Sequence, residues 1–326
     1  MRLAFIGTGW VTGQHLTAIA GAPGLEVVAI AGRDQAKAEA LAKPRGAAAF
    51  ADWRAMLATA KPDGVYVCLA PHAAAEVALG CAGKVGAVMV EKPVASTLEA
   101  AVAAERAFAA AGTIAGAAYH NRARAVAGRI RALCAACAPV VADAWWHGGM
   151  PGPTWWRTRS QSGGQMTEQC THLVDLLRLW LGEAVAVSAM SAQGAMRREI
   201  ADFDVDDAVT ATVRFASGAI ATVHTSCIAK PGQERDGVGM VLRARGWEAH
   251  LEGWGLEARI RREGGAEEVL APEADIFRLQ AERFRAAAEA RDASLLPSRF
   301  SEAVATLRLT RAIDASAASG RPVALA

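Results

Sequence analysis

Short, unbroken apolar runs alternate with helical stretches along the first 120 residues. RLAFI (2–6) has no polar alternation and leads through GTGWVTGQH (7–15) into a helical stretch reaching about residue 21. LEVVAIA (25–31) predicts a second strand. DQAKAEALA reads as a helix, WRAMLATA as a shorter one with Asp52 as its cap, and GVYVCL (64–69) as another fully apolar strand. A helix to residue 83 precedes the strand GAVMV. Ser96 and Glu99 have capping-box spacing and open a long alanine-rich helix ending at Gly112, after which TIAGAAY is the last strand of this run. Strands without polar alternation, joined by helices, imply a parallel sheet covered on both faces.

The pattern changes further along. In SGGQMTEQCTHLVDLLRLWLGE (162–183), Ser162 and Gln165 fit a capping box and Gly182 is placed to close the helix. Leu173, Leu176, Leu177 and Trp180 form a core stripe, and Glu168, His172 and Asp175 share another face. AVTATVRF and AIATVHT, turned at Ser217 and Gly218, alternate apolar and polar positions, with Thr210, Thr212 and Arg214 on one side.

With 326 residues, 52% of them hydrophobic, the chain is long enough for two domains. Thirty-five Lys and Arg against 33 Asp and Glu leave a net charge near +2 with no basic block, which argues against a nucleic-acid partner. Cys68, Cys81, Cys134, Cys137, Cys170 and Cys227 are scattered, and no signal peptide precedes the first strand, so free thiols in the cytoplasm are expected. Cys134 and Cys137 form a lone CxxC with no second pair or histidine cluster, so no metal site is expected. No apolar stretch is long enough to predict a membrane span.

Ligands of a parallel α/β sheet bind beyond the carboxyl ends of its strands, where helix N-termini present unpaired N–H groups. Gly, Pro and charge concentrate at those places: Gly7, Thr8, Gly9, Trp10 and Val11; Gly32, Arg33 and Asp34; Leu69, Ala70, Pro71 and His72; Glu91 and Lys92; and Tyr119 to Arg122. Gly7 and Gly9, with Thr12 in place of the third glycine of G-x-G-x-x-G, lie between a first strand and a helix and point to a dinucleotide. The second strand ends in Gly32 and Arg33, where an NAD site would carry a carboxylate. A guanidinium there suits a 2′-phosphate and favours NADP over NAD. Asp34 either turns inward as the ribose acid or caps the following helix.

GTGWVTGQH, EKP after the strand GAVMV, YHNR after TIAGAAY, SGGQMTEQCTHLVDLLRLWLG, DVDDAVTATVRFASGAIATV and RLTRAIDASAASGRPVAL together resemble the glucose-fructose oxidoreductase, inositol dehydrogenase and MocA-like family over nearly the whole chain. The resemblance implies a Rossmann-type dinucleotide-binding domain (1–122), followed by an α+β domain with an open, mostly antiparallel sheet (123–326). It also implies hydride transfer between a nicotinamide cofactor and a sugar, cyclitol or related polyol, and a homodimer or homotetramer. It assigns the catalytic group to Lys92, Glu168 and His172. Glu168 stands where most members have aspartate, and Ala75 where many have histidine, with His72 beside Pro71 instead.

The residue chemistry agrees. Removing a hydride from a carbinol carbon requires the hydroxyl proton to leave, which suits a base of pKa near 7 such as His172. Lys92 supplies charge to the same oxygen and Glu168 orients, although Lys92 is itself a candidate base. The substrate candidates are Tyr119, Arg122, Trp155, Trp156, Arg157 and Asp175. Tryptophan faces stack on sugar rings but equally serve as core, and Arg157 and Arg159 hint at an acidic group. Two other readings stay open: a redox-neutral glycoside hydrolase of the same family, and a dinucleotide-binding regulator. The full set of Lys92, Glu168 and His172 argues against the regulator.

Overall fold

Most of the N-terminal strands are buried on both faces, which is why their runs show no polar alternation. A computed structural model describes every residue except 231, 234–236 and 326. It divides into two compact units, Met1–Ala123 with Asp275–Val304, and Arg124–Ala274 with Ala305–Ala326. In the first unit β1 (Arg2–Ile6), β2 (Glu26–Ala31), β3 (Ala48–Phe50), β4 (Gly64–Val67), β5 (Ala87–Val90) and β6 (Ile114–Ala117) form one parallel sheet in the order β3-β2-β1-β4-β5-β6. The order reverses between β1 and β4, so a crevice opens beyond the carboxyl ends of these two strands. Strand β3 is an edge strand of three residues, too short to show a hydrophobic period.

The connecting helices are α1 (Trp10–Ala18), α2 (Gln35–Ala42), α3 (Trp53–Ala60), α4 (Pro71–Cys81) and α5 (Leu98–Ala111). Asp52 caps α3 through the Arg54 N–H at 3.0 Å, and Gly112 ends α5 in the left-handed region at φ 64°. The cap of α5 is Thr97 rather than Ser96: its hydroxyl accepts the Ala100 N–H at 3.3 Å.

The sequence reading assigns every residue after 122 to the second domain, but Asp275–Val304 belongs to the first unit. Helical periodicity at 276–290 marks an apolar face without naming the sheet it covers. In the fold, Ala281, Phe284 and Ala287 join the core of Leu3, Phe5 and Tyr66, with Phe284 edge-on to Tyr66 at 5.3 Å.

The second unit begins with α6 (Ala125–Ala136) and β7 (Val141–His147). After α7 (Arg159–Ser162), α8 (Gln165–Glu168) and α9 (Thr171–Leu181) come β8 (Ala184–Ala192), α10 (Ala195–Glu199), β9 (Ala208–Phe215) and β10 (Ile220–Ser226). The strands β11 (Val238–Ala244), β12 (Trp247–Glu252), β13 (Glu257–Arg262) and β14 (Glu268–Leu270) follow. Helix α11 (Ile276–Ala290) belongs to the first unit, α12 (Phe300–Ser319) is divided between the units at Val304, and β15 (Val323–Ala324) closes the second. The described residues form a nine-stranded sheet in which only β7 and β10 pair in parallel. Strand β9 alternates as its pattern predicts, burying Val209, Ala211, Val213 and Phe215 while Thr210, Thr212 and Arg214 stay exposed.

The single helix expected from residue 162 is three pieces. Gly163 and Gly164 adopt φ 83° and 90°, and Ser162 lies in α7, its hydroxyl accepting the Gly164 N–H rather than capping α8. Gln169 and Cys170 separate α8 from α9. The leucine stripe of α9 is buried as expected, and the helix ends at Gly182. Among the described residues no helix is long and apolar enough to cross a membrane.

Candidate active site

In the first unit the crevice between β1 and β4 is a cleft of about 550 Å³ lined by Gly7, Thr8, Gly32, Arg33, Asp34, Leu69, Ala70 and His72. Its floor demands glycine. Gly7 has φ 120°, and a Cβ there would stand 2.1 Å from the Cys68 carbonyl oxygen. A Cβ on Gly32 would meet the Thr8 methyl at 2.5 Å. Thr12, fully buried, donates its hydroxyl to the Gly7 carbonyl at 3.1 Å and ties the turn to α1.

Gly9 is different. It precedes α1 with no side-chain cap, and a Cβ there meets no protein atom within 4 Å. Packing gives no reason for glycine, whereas a phosphate drawing close to the uncapped N–H groups of α1 does. These features fit a dinucleotide.

Beyond the floor, Asp34 caps α2, accepting the Lys37 N–H at 3.2 Å and pairing with its ammonium at 3.3 Å. The Lys37 N–H bond lowers the Asp34 carboxyl from its ordinary pKa. Arg33, Lys37 and Arg54 line the same cleft, with the Arg54 guanidinium 4.3 Å above the Trp53 ring.

At the end of β5, Glu91 is buried and engaged on both oxygens. One lies 2.7 Å from His15 Nε2 and the other accepts the Lys92 N–H at 3.0 Å. His15 is itself fully buried against Tyr66 and the edge of Phe277. This pair pins α1 to the strand end and holds the backbone from which the half-buried Lys92 side chain leaves.

In the second unit His172 occupies the first turn of α9 and is 1% exposed. Its ring stacks on Trp146 (5.9 Å, 16°) and meets Trp254 at 5.9 Å and 77°. Glu168, four residues earlier at the end of α8, accepts the Trp156 indole N–H at 2.8 Å. The turn before Glu168 is held from α12. Thr167 donates to the Thr310 hydroxyl at 3.0 Å, and Arg311 donates to the Gly163 carbonyl and pairs with Asp314, each at 3.1 Å. Burial pushes the Asp314 carboxyl up to about 6 against the pull of Arg311 and Arg159.

The family model for the NAD-binding Rossmann fold oxidoreductases matches residues 1–119, and that for the GFO/IDH/MocA C-terminal domain matches residues 136–251. The chain belongs to the GFO/IDH/MocA oxidoreductase family. Among curated proteins no match is found. Solved structures share its fold. WlbA dehydrogenase from Bordetella pertussis, in complex with NADH and UDP-GlcNAcA, is 20% identical with a TM-score of 0.86, covering 100% of this chain and 99% of that one. Levoglucosan dehydrogenase in complex with NADH and levoglucosan is 20% identical with a TM-score of 0.89 over the same shares. An oxidoreductase from Agrobacterium radiobacter in complex with NAD+, L-tartaric acid and magnesium is 17% identical, TM-score 0.85, covering 99% and 98%.

In this GFO/IDH/MocA oxidoreductase several substrate candidates are buried or have protein partners. Asp175 is 1% exposed and accepts the Thr306 hydroxyl at 2.9 Å, and that hydroxyl accepts from Arg178 at 2.8 Å. Tyr119 is 1% exposed, and Arg122 pairs with Glu302 at 3.3 Å. Trp156 presents no face to a sugar, being fully buried with Phe203, Val205 and Cys227, and it acts on Glu168 instead. Trp155 packs partly buried on that cluster, and Arg159 pairs with Asp206. Pro71 is buried in the first turn of α4, whereas Leu69, Ala70 and His72 line the cleft. Trp10 and Val11 open α1, with Trp10 largely exposed. The sequence reading missed His15, Trp146 and Trp254. For Trp254 a signal existed: EGWGLE places a large aromatic at a turn between two glycines.

Proposed function

We propose that this oxidoreductase transfers a hydride between NADP, in preference to NAD, and a carbinol or carbonyl carbon of a sugar, cyclitol or related polyol. The observation that carries the reading is a buried imidazole, His172, preceded four residues earlier in the chain by a carboxylate, Glu168, that Trp156 holds in place. His172 takes the hydroxyl proton of the carbinol, or returns it in reduction. Lys92 supplies charge to the reacting oxygen, and Glu168 orients the polar groups of the substrate. When bound, the nicotinamide supplies the hydride acceptor or donor. The preference for NADP is supported by Asp34, which is engaged as a helix cap, and by the three cations lining the cleft. Arg157, whose Nε is buried without a hydrogen-bond partner among the described residues, remains a substrate candidate.

The test mixes the purified protein with NADP or NAD and a panel of sugars, cyclitols, uronic acids and glycosides, following reduced nicotinamide and released aglycone. Net cofactor reduction, faster with NADP, is expected. Aglycone release without net reduction would overturn the reading in favour of redox-neutral hydrolysis. His172→Ala is expected to lower kcat by about 10²–10⁴-fold with cofactor affinity changed less than about twofold.

A further inference from the structure

His15 is a buried imidazole that the chemistry proposed above does not use. With Thr12 it occupies one face of α1, and both side chains are fully buried. Thr12 ties the helix to Gly7, just past the end of β1. His15 ties it to Glu91, just past the end of β5, with Nε2 2.7 Å from Oε1. Strand β4 runs between those two strands, and its Tyr66 flanks the imidazole at 4.8 Å and 49°. Phe277 of α11 meets the same ring edge-on at 4.9 Å and 82°.

The ring is thus held by packing, and its polar atoms have one outlet. Nδ1 is buried with no hydrogen-bond partner among the described residues, so a proton there would stand without an acceptor. The proton belongs on Nε2, which donates it to Glu91. Glu91, 6% exposed, turns its second oxygen to its neighbour and accepts the Lys92 N–H at 3.0 Å.

A buried carboxylate is a costly way to join a helix to a strand. Two apolar side chains of similar volume would join them as well and bury no charge. They would not aim a peptide. Released from His15, the Glu91 carboxylate regains its rotamers, and the Lys92 N–H no longer has an acceptor fixed in place. Because the lysine side chain is long, a small rotation of that peptide displaces its ammonium by more than it displaces the backbone.

We infer that His15 is a positioning residue for Lys92, acting through Glu91 to fix the peptide from which the lysine side chain leaves. Its consequence for turnover rests on the reading of Lys92 as the source of charge at the reacting oxygen.

The test compares His15→Gln with His15→Asn in the full chain. The two carry the same carboxamide, but the glutamine NH₂ stands near the place of Nε2, whereas asparagine stops a methylene short of Glu91. Amide hydrogen exchange of Lys92 is followed by NMR on cofactor-free protein, with Val88 and Val90 of β5 as internal references. In the asparagine variant Lys92 is expected to exchange at least about tenfold faster than in wild type, with the β5 amides changed less than about threefold. In the same variant kcat for a polyol should fall about tenfold, with KM and NADP affinity changed less than about twofold. Glutamine should restore both. If the asparagine variant does not fold, His15→Met, of similar length and without a donor, takes its place with the same expectations. Unchanged Lys92 exchange would overturn the inference, as would β5 and Lys92 quickening together, which marks a merely structural pin. Faster exchange with kcat within about twofold of wild type would overturn it too. If wild type turns over no polyol, the dehydrogenase reading fails, and the exchange pattern alone decides the inference.

Discussion

Trp156→Phe separates one hydrogen bond from the rest of the candidate site. The indole N–H donates to Glu168 Oε2 at 2.8 Å, and the ring is wholly buried beside Phe203. Phenylalanine retains an aromatic ring in that cluster but has no donor, so the carboxylate loses a charge-assisted bond worth about 1.5–3 kcal/mol. The smaller ring leaves a void that costs about 1 kcal/mol more in stability. If the bond serves to hold Glu168 for chemistry, its loss appears in kcat as a fall of about 10- to 150-fold. Steady-state kinetics would measure kcat and KM, with a thermal melt in parallel. Binding of NADP should not change, because neither residue lines the cofactor cleft. Repeating the substitution in a Glu168→Gln background completes a double-mutant cycle, in which the two kinetic losses should be far from additive. A lowered melting temperature with kcat within about twofold of wild type would refute the reasoning and make the bond purely structural.

Gly7→Ala places a Cβ 2.1 Å from the Cys68 carbonyl oxygen at φ 120°, so a loss of about 3 kcal/mol or more and of dinucleotide binding is expected; a folded variant with wild-type affinity in a titration would contradict it. Asp314 has its pKa raised from 3.8 to about 6 by burial, so the folded state holds a proton that the unfolded state releases. Its stabilising contribution is therefore full below about pH 4 and lost as pH rises through 6, a change on the order of 2–3 kcal/mol. Denaturant titrations should show Asp314→Asn gaining on wild type by that amount across the window, and parallel curves would contradict the assignment. Thr97→Ala should cost about 1 kcal/mol and Ser96→Ala less than about 0.5 kcal/mol, and the reverse order would return the cap of α5 to Ser96.

Much of the first unit is legible in its sequence because the signals are local. Unbroken apolar runs predict β1, β2, β4, β5 and β6, Asp52 predicts the start of α3, and Gly112 and Gly182 predict the ends of α5 and α9. In each case a few neighbouring residues satisfy or forbid a backbone conformation. Gly7 and Gly9 likewise announce the dinucleotide turn, whereas the single helical face expected for Glu168 and His172 is broken by Gln169 and Cys170 between α8 and α9. Other features depended on segments far apart along the chain. Asp175 has the same composition-level promise as Glu168, yet Thr306, 131 residues away, takes its carboxylate. Asp34 is a local exception: its partner, the Lys37 N–H, lies only three residues on, yet the sequence admitted two roles for it. Residues 275–304 gave no sign of returning to the first unit, and Trp254 gave no sign that it would stand against His172. The physical division is between groups whose partners lie within a turn or two of chain and groups whose partners arrive by packing. A side chain's chemistry states which bonds it can make, but only the folded core decides which partner is within reach.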